Sequence, residues 1–149
     1  MSQTYFGSAL RSGSGTLTDT TDGGYVVLAQ TTTATTVAAG TAVSSTVTLP
    51  SGSQIIDIKV DGTTAAVAGG GTATAIAVTV GSAAAGTQYM SSTDGIAGGR
   101  LSFAPTAAQT NAMADIGTNT TVYITVDPDG TISTTQGVFR LTVVYAQKG

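Results

Sequence analysis

The chain contains no His, no Cys and no Trp, and all eight of its acidic residues are Asp, so Glu is absent as well. His and Glu are the usual proton donors and acceptors near neutral pH, and His and Cys are the usual ligands of transition metals. Without Cys the chain forms no disulfide bond. We therefore expect that the protein is not an enzyme and that it uses no catalytic residue, no cofactor and no metal.

Charge is also scarce, because charged residues make up only 9% of the sequence and the net charge is -3. The five basic residues are scattered: Arg11, Lys59, Arg100, Arg140 and Lys148. Nucleic-acid binding needs a basic patch that neutralises phosphates, so we expect no nucleic-acid partner. No apolar run approaches the roughly 20 residues of a membrane span, and no basic start followed by an apolar run predicts a signal peptide. We therefore expect no membrane partner.

Thr is the most frequent residue, followed by Ala and Gly. The 149 residues fit a single domain. Hydrophobic residues make up 41% of the chain, but only three are Phe, five are Tyr and three are Met. A core of Val, Ile and Ala buries less area than one of Leu and Phe. At roughly 25 cal/mol per Å² of buried apolar surface, a lone copy is expected to be only modestly stable, which favours a homo-oligomer or a partner that shares the burial.

Apolar and polar residues alternate with a period of two, which is typical of half-buried strands. The alternation is clearest in residues 56–60, 76–80, 122–126 and 139–145. In the first of these segments it predicts that Ile56, Ile58 and Val60 face the core. Residues 25–31 begin with a continuous apolar run, which predicts a more deeply buried strand.

Turn residues separate these segments. Asp-Gly steps favour tight reversals, and they occur at residues 22–23, 61–62, 94–95 and 129–130. Pro128-Asp129-Gly130 predicts a hairpin that joins residues 122–127 to residues 137–146. One helix of about two turns is predicted to begin near Pro105 and Thr106 and to end near residues 115–117.

These signals together predict an all-β fold with about eight strands. The strands are expected near residues 25–31, 41–49, 54–61, 73–80, 86–91, 99–104, 121–127 and 137–146. Short strands at near-regular spacing are typical of an antiparallel sandwich or barrel, and eight strands suit a jelly-roll-like arrangement. We expect residues 23–149 to form a single β domain, preceded by an extended N-terminal arm of residues 1–22.

Three motifs suggest chemistry but have simpler interpretations. Asp127 to Gly130 resembles part of a calcium loop, yet the later Glu of such a loop is missing, so a plain turn is the better interpretation. Asp19 and Asp22 lack a third ligand and are also interpreted as part of a turn. The glycines at residues 69–71 lack the Lys and the helix of a phosphate loop, and they predict a connection.

The N-terminal arm contains the candidate interface residues Tyr5, Phe6, Leu10 and Arg11. These side chains either pack back on their own domain or serve as anchors in another subunit. Arg11 is suited to pairing with an acidic partner surface. The second interpretation is favoured, so we take the four residues as candidates for an interface with a partner or another subunit.

The two ends of the chain resemble those of small head proteins from tailed bacteriophages. Residues 2–19 read SQTYFGSALRSGSGTLTD, and residues 121–147 read TVYITVDPDGTISTTQGVFRLTVVYAQ. The first resembles the N-terminal arms of these proteins, and the second resembles their closing pair of strands. The middle of the chain resembles them only in composition.

The resemblance implies a capsid decoration, or cement, protein. Such a protein lies on the exterior of the capsid in the virion, after synthesis in the host cytoplasm, and commonly forms trimers. Its arm adds to sheets or grooves of the major capsid protein and so stabilises the shell. The alternative is a head-fibre or tail-associated domain that recognises a host surface glycan, for which a groove with clustered exposed aromatic and polar side chains would be the distinguishing feature.

Overall fold

The computed structural model describes residues 25–114 and 116–148. The described part contains eight strands and one short helix, which are β1 (Tyr25–Thr35), β2 (Val43–Leu49), β3 (Ser53–Thr64), β4 (Ile76–Gly81), β5 (Met90–Asp94), β6 (Gly99–Leu101), α1 (Ala107–Ala112), β7 (Thr120–Pro128) and β8 (Val138–Lys148). The all-β fold predicted from the sequence is confirmed, and each of the eight predicted segments overlaps one strand.

The strands form two antiparallel sheets of four strands each. The first sheet has the order β1-β8-β3-β6, and the second has the order β2-β7-β4-β5. Strands that follow one another in the chain lie in opposite sheets, apart from the neighbours β4 and β5. This connectivity gives the jelly-roll-like sandwich that the strand count predicted.

The core lies between the inner faces of the two sheets. Three central strands supply residues that are fully buried at every second position: Ile76, Val78 and Val80 of β4, Val122, Ile124 and Val126 of β7, and Phe139, Leu141 and Val143 of β8. The period of two predicted for these strands is therefore confirmed. Because successive side chains of a strand point to opposite faces, the residues between these positions point outward, and most of them are polar.

The hairpin predicted between β7 and β8 is wrong. β7 lies in the second sheet and β8 in the first, so the chain crosses between the sheets after Pro128. One edge of β8 pairs with β1 at all eleven residues of the strand, and the other edge pairs with β3. Because strands that are distant in sequence occupy both edges of β8, no edge is left for a local partner.

The reversal predicted at Asp61 and Gly62 is also wrong, since both residues lie inside β3. Asp61 is paired with Arg140 of β8 on one side and with Arg100 of β6 on the other. Pairing on both edges holds the backbone extended in spite of the Asp-Gly step. Near the Asp-Gly step, the pairing of β3 with β8 is disturbed only by a register shift between Gly62 and Thr64.

The helix α1 begins where the sequence predicted and ends earlier, at Ala112. The Thr106 hydroxyl accepts a hydrogen bond from the backbone of Gln109, and the Gln109 side chain accepts one from the backbone of Thr106, which is a capping box. The buried Gln109 amide also donates to the Thr87 carbonyl at 2.9 Å and to the Ser91 hydroxyl at 3.0 Å. These bonds fix α1 beside β5.

Two paired Thr residues on the outer face of the second sheet differ in their hydrogen bonds. Thr79 of β4 is directly opposite Thr125 of β7, and both are buried. The Thr125 hydroxyl accepts a bond from the Ala85 amide at 2.8 Å and shares another with the Ser44 hydroxyl at 2.8 Å. The Thr79 hydroxyl has no partner among the described residues.

The substitution Thr79→Val is expected to stabilise the fold, because it replaces a buried hydroxyl that lacks a partner with a methyl group of the same size. We expect the free energy of unfolding in urea to rise by up to about 1 kcal/mol. The matched variant Thr125→Val loses two hydrogen bonds and is expected to lower this free energy by about 1–3 kcal/mol. Equal destabilisation by the two variants would contradict the assignment.

Candidate interaction surface

The four candidate interface residues Tyr5, Phe6, Leu10 and Arg11 lie outside the described residues, so their assignment stays a prediction. The same holds for the turn interpretation of residues 19–22. The described chain begins at β1, and the surface next to this point is where the arm and the sandwich meet.

The start of β1 is exposed, so the prediction of a deeply buried strand is wrong. β1 lies at the edge of the first sheet, and Val27 is 61% and Leu28 41% exposed. Adjacent residues of a strand point to opposite faces, so neither face is covered here. No strand of a two-sheet sandwich is covered by a sheet on its outer face, and at the edge of the first sheet the start of β1 is not covered on its inner face either. We call residues 26–29 the apolar β1 end.

Further along, β1 meets the edge of the second sheet. The Gln30 amide donates to the Thr48 carbonyl of β2 at 3.0 Å and to the Tyr145 hydroxyl at 3.0 Å. Two residues later, the Thr32 and Ser45 hydroxyls are 2.5 Å apart. Side-chain hydrogen bonds thus join the two sheets from Gln30 onward, and the apolar β1 end lies before this junction.

The alternation of the sequence predicted that Ile56 faces the core, and this prediction is wrong. The pairing of β3 with β8 shifts register between Ile55 and Asp57, which leaves Ile56 as the extra residue of a β-bulge. Ile55 and Ile58 are both buried although they are three residues apart, and the bulge is what brings both to the inner face. Ile56 consequently points outward and is 53% exposed.

The bulge lies beside a gap in the edge of the first sheet. β6 is only three residues long and pairs with β3 from Val60 to Gly62. Before the gap, the Ile55 amide donates to the Met113 carbonyl at the end of α1, at 2.8 Å. Residues 56–59 of β3 therefore have no strand partner on this edge within the described part of the chain.

A groove of about 250 Å³ lies over this gap. Its apolar lining comes from β3, from the segment that follows β6 and from the end of α1, namely Ile56, Ile58, Leu101, Phe103, Pro105 and Met113. Asp57 and Arg100 add one charge of each sign to the lining. We call this groove, together with the open edge of residues 56–59, the β3 slot.

Charged side chains cluster on the outer face of the first sheet. Lys59 lies 3.5 Å from Asp57, while Arg100 at 3.5 Å and Arg140 at 3.7 Å share the carboxylate of Asp61. Exposed ion pairs of this kind contribute only about 0–1 kcal/mol each to stability. The two carboxylates offset two of the three positive charges, so these basic side chains do not form a strongly basic patch.

Asp129 of the calcium-like motif acts as a structural link. Its carboxylate accepts hydrogen bonds from the Thr74 hydroxyl at 2.5 Å, the Thr74 amide at 2.7 Å and the Ala75 amide at 3.1 Å. These bonds tie the turn after β7 to the segment before β4. The Thr74 hydroxyl, helped by the two amides, lowers the pKa of Asp129 below its ordinary value of 3.8. Among the described residues, no three His, Cys, Asp or Glu side chains are grouped to hold a metal ion.

Aromatic side chains do not cluster on the described surface. Tyr89, Phe139 and Tyr145 are buried. The half-buried Phe103 follows β6 of the first sheet, and the half-buried Tyr123 lies on β7 of the second. Within the described part of the chain, the clustered exposed aromatic groove that would mark a glycan site is absent.

Comparison with protein families, with curated proteins and with solved structures finds no match to this chain. Within the described residues, no helix has the length and apolar character needed to cross a membrane. The two features that stand out from the ordinary surface of the sandwich are the apolar β1 end and the β3 slot. Sequence alternation predicted neither, because one depends on an edge position and the other on a bulge.

Acid is expected to remove the contribution of Asp129 to stability. Because its folded pKa lies below the unfolded value of 3.8, the ionised carboxylate stabilises the fold above that pH, and this contribution is lost as the pH falls through the folded pKa. Urea unfolding at pH 7 should show Asp129→Asn to be less stable than the natural chain, and the difference should shrink as the pH approaches 2. Thr74→Val, which removes the hydroxyl donor, should reduce the same pH dependence. A difference that stays constant with pH would contradict this role.

Proposed function

We propose that this chain is a structural protein of the virion, which binds the outer surface of a tailed-phage capsid and stabilises the shell. The observation that carries the proposal is the apolar β1 end, where exposed Val27 and Leu28 follow directly on the arm. Exposed apolar edges of sheets are sites of pairing with other chains. The resemblance of both chain ends to phage head proteins supports the choice of partner.

The proposed contact is strand addition between the arm and the major capsid protein. An added strand binds mainly through main-chain hydrogen bonds, so it places little demand on side chains. This suits an arm composed mostly of Ser, Gly and Thr, in which Tyr5, Phe6 and Leu10 supply the few anchors. The apolar β1 end continues the same contact on the sandwich itself.

The proposal includes a homo-oligomer, with a trimer preferred to a dimer. A core built mainly of Val and Ile, with Phe139 as its largest fully buried side chain, leaves stability to be gained from contacts between copies. Several arms on one oligomer bind a repeating lattice with avidity, which raises overall affinity without new contacts. In this proposal the chain is not an enzyme and takes no cofactor.

The alternative is a domain that recognises a host glycan from a head fibre or tail. Jelly rolls also occur in lectins, so the fold is compatible with both functions. Sugar rings are usually bound on exposed aromatic faces. The separation of Phe103 from Tyr123 gives this alternative less support among the described residues.

Deletion of residues 2–13 is expected to abolish capsid binding while the sandwich stays folded. The deletion removes all four candidate interface residues and leaves the strands intact. Binding is measured by co-sedimentation with expanded heads that lack the protein, and folding by circular dichroism and urea unfolding. Full decoration of heads by the truncated chain would show that the arm is not the capsid contact.

The substitution Val27→Lys tests the apolar β1 end separately from the arm. Burying a lysine at an apolar contact is expected to weaken capsid binding by at least about tenfold, or ~1.4 kcal/mol. The free energy of unfolding should change by less than about 0.5 kcal/mol, because Val27 is exposed. The control Thr33→Lys places the same charge on the same face of β1, beyond the apolar end, and should bind within twofold of the natural chain. If both variants bind alike, the apolar β1 end is not part of the interface.

A further inference from the structure

We propose that, in the free protein, the β3 slot binds residues 4–10 of the chain's own N-terminal arm as an added strand. Three observations carry this assignment: the open backbone edge of β3, the apolar lining of the groove and the position from which the arm leaves the sandwich. The occupant is a segment of the same copy. A second copy and a foreign peptide are outcomes that the experiment distinguishes.

The slot has the backbone geometry that receives a strand. Alternate residues of a strand direct their N–H and C=O groups to the same side. On the side of β3 that faces away from β8, the amide of Ile55 is bonded to Met113, and pairing with β6 resumes at Val60. Between these points the edge is open, and a strand of about four residues would complete the ladder between α1 and β6.

The groove beside this edge has a size and a lining that fit the side chains of an added strand better than a free small-molecule ligand. Its volume of about 250 Å³ is below the roughly 300–1,000 Å³ of typical ligand pockets. Most of its lining side chains are apolar, and they include the exposed Ile56 together with Phe103 and Met113. In an extended segment Phe6 and Leu10 lie on the same face, because side chains alternate with a period of two. The arm therefore presents two apolar side chains to an apolar groove.

The start of β1 lies within reach of the slot for the length of chain that precedes it. Tyr25 pairs with Lys148, and the preceding residue of β8, Gln147, pairs with Ser53 of β3. Two strand spacings, or about 10 Å, thus separate the starts of β1 and β3. Residues 11–24 are fourteen in number and span up to about 46 Å when extended, so the arm reaches the slot of its own copy without strain.

Tethering favours the chain's own arm over the arm of another copy. A segment linked by a short flexible linker has an effective concentration in the millimolar range, which exceeds the concentration of other copies in a dilute solution. Resting on the proposed function, the further consequence is that the capsid protein must displace the arm from the slot before the arm adds to the capsid. The free protein would thereby keep its apolar anchors covered until it meets a shell.

The absence of natural Cys allows a direct test in the full chain. The variant with Phe6→Cys and Ile56→Cys is oxidised under mild conditions and analysed by non-reducing electrophoresis and mass spectrometry. We expect an intramolecular disulfide as the main product. The control pair combines Phe6→Cys with Val67→Cys, because Val67 is 48% exposed but follows the far end of β3. The control pair should form its disulfide at least about tenfold more slowly.

The following outcomes of the disulfide experiment would overturn the proposal. Equal rates for the two pairs, or no disulfide at Cys introduced in place of Ile56, would overturn it. A disulfide that joins two chains, formed equally when the two single-Cys variants are mixed, would assign the slot to the arm of a second copy and overturn the intramolecular assignment.

Hydrogen exchange gives an independent measure that needs no cysteine. In the natural chain, residues 4–10 should exchange at least about tenfold more slowly than an unprotected peptide. Ile56→Asp, which alters only an exposed position, should remove this protection, while Val67→Asp should leave it unchanged. Unprotected exchange in the natural chain would overturn the proposal. Neither experiment uses a capsid, so a failure here is distinct from a failure to decorate heads.

Discussion

The position of β8 is the constraint on which the rest of the sandwich depends. Its inner face carries Phe139, Leu141 and Val143, which are fully buried, and it is paired on both edges along most of its length. Both partners come from the first half of the chain, so the fold is closed by its last strand. Because β8 fills the centre of the first sheet, β1 is held at an edge and its apolar start is left uncovered.

The pairing of β8 with β3 also produces the slot. Ile55 and Ile58 are both needed in the core, and only a bulge lets two residues three apart reach the same face. The bulge turns Ile56 outward at the place where β6 is too short to cover the edge of β3. The packing of Ile55 and Ile58 into the core therefore places an apolar side chain, Ile56, at the open edge of β3 and so contributes to the β3 slot.

The fold was largely predictable from the sequence, and the surface was not. Alternation identified the inner faces of β4, β7 and β8, because those strands are covered evenly by the opposite sheet. It failed at Ile56 and at residues 25–31, where a bulge and an edge position override the local pattern. The predicted β7–β8 hairpin failed because turn residues indicate that the chain changes direction. They do not indicate whether the next strand pairs with the previous one. The arm residues chosen from the sequence stay predictions, since they lie outside the described residues.

The ion pairs on the first sheet bear on how the protein responds to its surroundings. Lys59, Arg100 and Arg140 each lie beside an aspartate of the same face, so this surface projects only a weak field into solution. Salt acts mainly on long-range fields between exposed charges. Docking through this side of the sandwich would therefore proceed at nearly the same rate in dilute buffer and in concentrated electrolyte.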